Sequence, residues 1–97
     1  MAQRHFVGES YDPGGTGSAA GCTSQAAAEL AGRGRPIRHL GSLVSPDEEL
    51  SLHLFEADSA ETVAEVGRLA ESPFDRIWAA VWSGPAACVN HPLEETT

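Results

Sequence analysis

The sequence predicts an α+β fold in which a four-stranded antiparallel sheet carries two helices on one face, and three observations predict it. Two runs with period-two character, Ile37 to Val44 and Glu49 to Ala57, flank the polar stretch SPDEE, the pattern of a β-hairpin. A segment with helical spacing stands before that hairpin and another after it. A short strand-like run stands at each end of the series, which gives the order βαββαβ. At 97 residues the chain accommodates one such unit and not two.

The first strand is RHFVGESY, Arg4 to Tyr11, which stops at the turn formers Asp12-Pro13-Gly14-Gly15. The Ala-rich helix after it is expected to begin near Thr23, an acceptable N-cap, and to end with Gly32 in the position after the last turn. The hairpin strands follow. Asp58 and Glu61 have the three-residue spacing of a capping box, and Val63, Val66, Leu69 and Ala70 then recur at helical spacing until Ser72-Pro73 ends the run. DRIWAAVW, Asp75 to Trp82, is the last strand. Residues 1–84 thus form the domain, residues 85–97 read as an irregular tail, and the ferredoxin-like arrangement predicts strand order 4-1-3-2.

Composition narrows the function. The formal charge is -8 and all six basic residues are Arg, so the chain lacks the extended basic surface that nucleic acid requires. No run reaches the roughly 20 apolar residues of a bilayer span, and MAQRHFVGES lacks the order of a signal peptide. A cytoplasmic protein is therefore expected, with Cys22 and Cys88 as thiols. The Ala, Gly and Arg-for-Lys bias is that of a GC-rich genome such as an actinobacterium's. A chain this small buries only about 60 to 65% of its unfolded surface, which favours a homodimer that covers the second sheet face.

Pairing Val44 with Leu50 sets His39 opposite Phe55 and Gly41 opposite His53. Side chains alternate across a sheet, so Leu40, Val44, Leu50, Leu52 and Leu54 are expected under the helices. His39, His53, Leu43, Phe55 and Ser51 then share the open face, with the two histidines as diagonal neighbours about 7 to 8 Å apart. Glu9 and Tyr11 are expected on that face too, because a carboxylate beneath the helices needs a buried partner. Trp78 and Trp82 join them, as large indoles suit a face sealed by another subunit. The expected site is a cavity roofed by a second copy, with Tyr11, His53, Phe55 and Trp78 as ligand-binding residues around His39 and Glu9.

RPIRHLGSLVSPDEELSLHLFEADSAETV followed by ESPFDRIWAAVW resembles a family of small bacterial ferredoxin-like nickel-binding proteins, a domain of unknown function, over most of Ile37 to Trp82. In that family an R-H-L-G-S hairpin, an L-F-E-A strand end and a P-F-D-R-I close occur in this order. The first third departs from the pattern, with ESYDPG where E-R-Y-x-P-G is typical. The resemblance implies the ferredoxin-like fold of dimeric α+β barrel type, a dimer through sheet faces, and a divalent metal such as nickel. Glu9, Tyr11 and His39 occupy the family's motif positions.

Two functions follow as expectations. Neutral imidazoles of His39 and His53, with a Glu9 oxygen, suit a divalent metal such as Ni. Alternatively, His39 and Glu9 act as acid and base in a cofactor-free isomerase, cyclase or monooxygenase acting on an aromatic or polyketide-like metabolite, by analogy with other small dimeric barrels. GTGSAA, Gly15 to Ala20, imitates a dinucleotide fingerprint, but a hairpin follows where a parallel βαβ unit is required. Asp47, Glu48 and Glu49 read as a solvated hairpin tip, Asp75 and Arg76 as structural charges, and His91 as a surface residue.

Overall fold

A computed structural model describes residues 4–13 and 20–81, and the predicted tail, Trp82, Cys88 and His91 lie outside them. The elements run β1 (Arg4–Tyr11), α1 (Ala20–Gly32), β2 (Ile37–Ser45), β3 (Leu50–Ala57), α2 (Ala60–Leu69) and β4 (Arg76–Ala80). The sheet order is β2-β3-β1-β4, the predicted order read from the opposite edge, and every pairing is antiparallel. No described helix is long and apolar enough to cross a membrane.

Three local boundaries differ from expectation. Helix α1 starts at Ala20, before Thr23, because the Ala-rich run carries the helix through Gly21. Gly32 remains within α1, and Gly34 takes the left-handed conformation at φ 90° while Arg35 N–H bonds back to the Leu30 carbonyl at 3.0 Å. The cap of α2 is Ser59, whose hydroxyl accepts from Thr62 N–H at 3.3 Å. Asp58 instead accepts from the Thr62 hydroxyl at 2.7 Å.

The core comprises Phe6, Ile37, Phe55 and Ala57 from the sheet, Ala26, Ala27 and Leu30 from α1, and Val63 and Val66 from α2. Phe55 is wholly buried, and the Phe74 ring from the connection after α2 meets it edge-on at 5.7 Å. Gly8 makes room for that ring. A Cβ at position 8 would stand 2.9 Å from it, closer than packed carbons tolerate.

These contacts reverse the expected faces of β3 and of His39. Ser51, His53, Phe55 and Ala57 are the buried set of β3 and point under the helices, whereas Leu50, Leu52 and Leu54 point to the open face. The hairpin register adds a second correction. His39 pairs with Phe55 as predicted, but a bulge at Leu40 shifts the remainder by one, so Ser42 opposes His53, Leu43 opposes Leu52 and Val44 opposes Ser51. The bulge thereby keeps Leu43 on the open face and Val44 on the helix face, as expected for both, although their β3 neighbours are exchanged.

Two substitutions check this packing by urea unfolding. Phe55→Ala is expected to cost about 3–5 kcal/mol through the cavity it leaves. Gly8→Ala is expected to cost about 1–3 kcal/mol through overpacking against Phe74.

Candidate functional site

The sheet divides the predicted site residues into two groups. His39, His53 and Phe55 lie on the helix face, while Glu9, Tyr11 and Trp78 lie on the open face, where Glu9 pairs with Leu52 and Tyr11 with Leu50. The buried Val7 separates Leu54 from Trp78 on that open face, outside the helix-covered core cluster.

On the helix face, His53 is 1% exposed and His39 half-buried, with ring centroids 6.1 Å apart. Ser42, absent from the sequence prediction, joins them: its Oγ lies 3.1 Å from His39 Nε2 and 2.7 Å from His53 Nδ1. The bulge makes this contact, since it sets Ser42 opposite His53 where an unbroken ladder would set Gly41. Burial lowers the pKa of His39, against a backbone hydrogen bond to Gly41 that favours its protonated form. Burial also lowers that of His53, aided by repulsion from His39 and opposed by the Asp12 carboxylate. Asp12 itself accepts from the Ser51 hydroxyl at 2.9 Å.

The hydrogen-bond directions follow from donor counting. Assigning the His39 proton to Nδ1, away from Ser42, makes Nε2 the acceptor from the Ser42 hydroxyl and Ser42 Oγ the acceptor from His53 Nδ1–H. His53 Nε2 is then a bare lone pair, buried without a hydrogen-bond partner. Phe74 covers that ring at 5.7 Å between centroids, and Phe55 lies 5.2 Å from the His39 ring.

On the open face, Glu9 accepts from the Trp78 indole N–H at 2.7 Å and stands 3.6 Å from the Arg76 guanidinium. Asp75, expected to be a structural charge, accepts from Tyr11 N–H at 2.7 Å and donates its own backbone N–H to the Glu9 carbonyl at 2.7 Å. It thereby ties the end of β1 to the start of β4. Tyr11 donates its hydroxyl to Glu49 at 3.0 Å, and that carboxylate raises the phenol pKa. On β2 and β3, Gly41, Ser42, Leu43 and Leu54 line an apolar hollow of about 290 Å³.

The predicted metal set of His39, His53 and Glu9 does not come together within the chain. Glu9 is on the far side of the sheet, and two imidazole nitrogens converge on the Ser42 hydroxyl. Among the described residues no three His, Cys, Asp or Glu side chains cluster as a metal site. The pairing of His39 with Glu9 as acid and base is undone by the same separation.

The architecture is thus that of a ferredoxin-like α+β domain. The solved structure of SCO4226 from Streptomyces coelicolor A3(2) is similar, with a TM-score of 0.67 at 22% identity, covering 82% of this chain and 99% of that one. That likeness establishes the fold. No family model and no curated protein matches the chain.

Ser42→Ala is expected to destabilise the chain by about 1–3 kcal/mol, because His53 Nδ1–H would lose its buried acceptor. Urea unfolding at pH 7.5 measures it.

Proposed function

We propose that this chain is a homodimeric binding module that apposes its open sheet faces and encloses a small-ligand cavity between two copies. The observation that carries this reading is the orientation of β3. Its three leucines point away from the helices, although the opposite face already fills the core. Leu43 is 66% exposed and Trp78 36% exposed on the same face. Such an apolar patch is costly in water and typical of an interface.

Charge favours a second copy as the occupant. The chain carries -8 overall, yet the strand residues of the open face hold two Arg (Arg38, Arg76) that balance two carboxylates (Glu9, Glu56), with Glu49 and Asp75 adding negative charge only at the Tyr11 end. Arg38 pairs with Glu56 at 3.1 Å and Arg76 with Glu9 at 3.6 Å. Two such faces meet without the repulsion that the rest of the surface would impose, and a two-fold axis presents each patch to its own copy.

Within the cavity, Leu43 and Leu54 supply apolar wall, and Glu9, Trp78 and Tyr11 supply the groups that orient a ligand. Where the ligand is a divalent cation, as the resemblance to nickel-binding proteins implies, Glu9 is the predicted ligand that this face offers. His39 and His53 take no part in that arm, being across the sheet. A cation there competes with Arg76 for the same carboxylate, so the Glu9 of both copies together would have to hold it.

Sedimentation equilibrium tests the dimer: the expected mass is twice the 10.2 kDa of the chain. Leu43→Arg is expected to weaken association by about tenfold or more, by burying an unpaired charge at the seam, without altering the monomer's fold. A monomeric wild type at high micromolar concentration would refute the assembly. Equilibrium dialysis against Ni²⁺, with protein purified without a nickel column, tests the cation arm. Retention reduced by Glu9→Ala and unchanged by His39→Ala is expected; retention lost in His39→Ala and kept in Glu9→Ala would overturn it.

A further inference from the structure

We propose that the His39–Ser42–His53 chain is a proton-operated latch on edge strand β2, closed while both imidazoles are neutral and opened by acid. Its place in the strand gives it reach. Ser42 is the residue that follows the Leu40–Gly41 bulge, and it belongs both to the latch and to the wall of the open-face hollow. Opening the latch under the helices therefore reshapes the hollow on the far side of the sheet. This coupling rests on the open face being the binding face, whereas the latch itself does not.

The closed state depends on one hydroxyl proton. In the assigned tautomers Ser42 Oγ donates to His39 Nε2 and accepts from His53 Nδ1–H, so all three atoms are satisfied while both rings are neutral. Protonation of His39 places an N–H on Nε2, and Ser42 can no longer donate there. Its proton can turn to His53 Nδ1 only if His53 moves its own proton to Nε2, a buried position without a hydrogen-bond partner. Protonation of His53 instead adds an N–H at Nε2, a buried position without a hydrogen-bond partner, beneath Phe74. A charge on one ring also repels a charge on the other across 6.1 Å.

The surroundings decide how far acid must go. From β1, the Asp12 carboxylate attracts a proton to His53 and opposes opening to a degree, although it also accepts from Ser51. On β2, Arg38 borders the groove beside His39 with its charge paired to Glu56. From α1, Ser24, Ala27, Ala28 and Ala31 line that groove and bring no charge. From β3 and the connection after α2, Phe55 and Phe74 face the rings and likewise bring none.

The sign follows from linkage. Both rings have folded-state pKa values below the ordinary 6.5, whereas in the unfolded chain they take up protons near it. Stability from the latch is complete above about pH 6.5 and is lost as the pH falls from there through the lowered folded values.

Nuclear magnetic resonance on the full chain between pH 4.5 and 8 tests the proposal. His53 is expected to titrate below the free-histidine value. Amides of Gly41 to Val44 are expected to exchange about tenfold faster at pH 5 than at pH 7, after correction for intrinsic rates, with β1 still protected. Ser42→Ala should abolish that contrast by leaving β2 unlatched at both pH values, and Ser42→Thr, which keeps the hydroxyl, should restore it. Titration of His53 at or above the free value, or an unchanged pH contrast in Ser42→Ala, would overturn the latch. Repeating the exchange on Leu43→Arg separates the two readings: a latch that persists there stands even if the dimer fails. Loss of the contrast in that variant alone would mean that the assembly, and not the imidazole pair, is the acid-sensitive element.

Discussion

Burial of Phe55 is the constraint on which the rest of the structure depends. Its ring lies wholly beneath the helices, against Val63, Val66 and Phe74, and side-chain alternation then commits every other residue of β3. Ser51, His53 and Ala57 follow it inward. Leu50, Leu52 and Leu54 are turned outward. A polar set of side chains is thus carried into the interior, and an apolar set is carried to the surface.

The interior half of that exchange explains the hydrogen-bonded chain of His39, Ser42 and His53. A buried imidazole costs free energy unless its nitrogens find partners. Ser42 supplies one for each ring, and the bulge at Leu40 is what places it there. The exterior half explains the apolar hollow and the leucine row. Together they make the two faces of one strand interdependent, because the residue that satisfies the histidines also shapes the wall behind Leu43 and Leu54.

Much of the architecture was legible in the sequence because it is written in local patterns. The hairpin around SPDEE, the helical spacing of Val63 and Val66, and the terminal strands each carry their own signal, and their order leaves one compact solution. The pairing of His39 with Phe55 was legible too. The bulge was not, since an extra residue leaves no mark in the alternation until the partner strand is in place. Ser42 was missed for that reason. Gly8 is a signal that the sequence reading did not use: a glycine inside a strand marks a close approach of another group, here Phe74.

The sequence by itself determined the element types, their order and the sheet topology, because periodicity, caps and turn residues act over a few neighbouring positions. Only the tertiary structure decided which face of the sheet the helices cover. Both faces of β3 are apolar enough to be buried, so local pattern does not choose between them. The choice falls to the combined fit of Phe6, Ile37, Phe55 and Ala57 against α1 and α2. That fit separates Glu9 from His39 and His53, and it leaves the leucines of β3 on the open face.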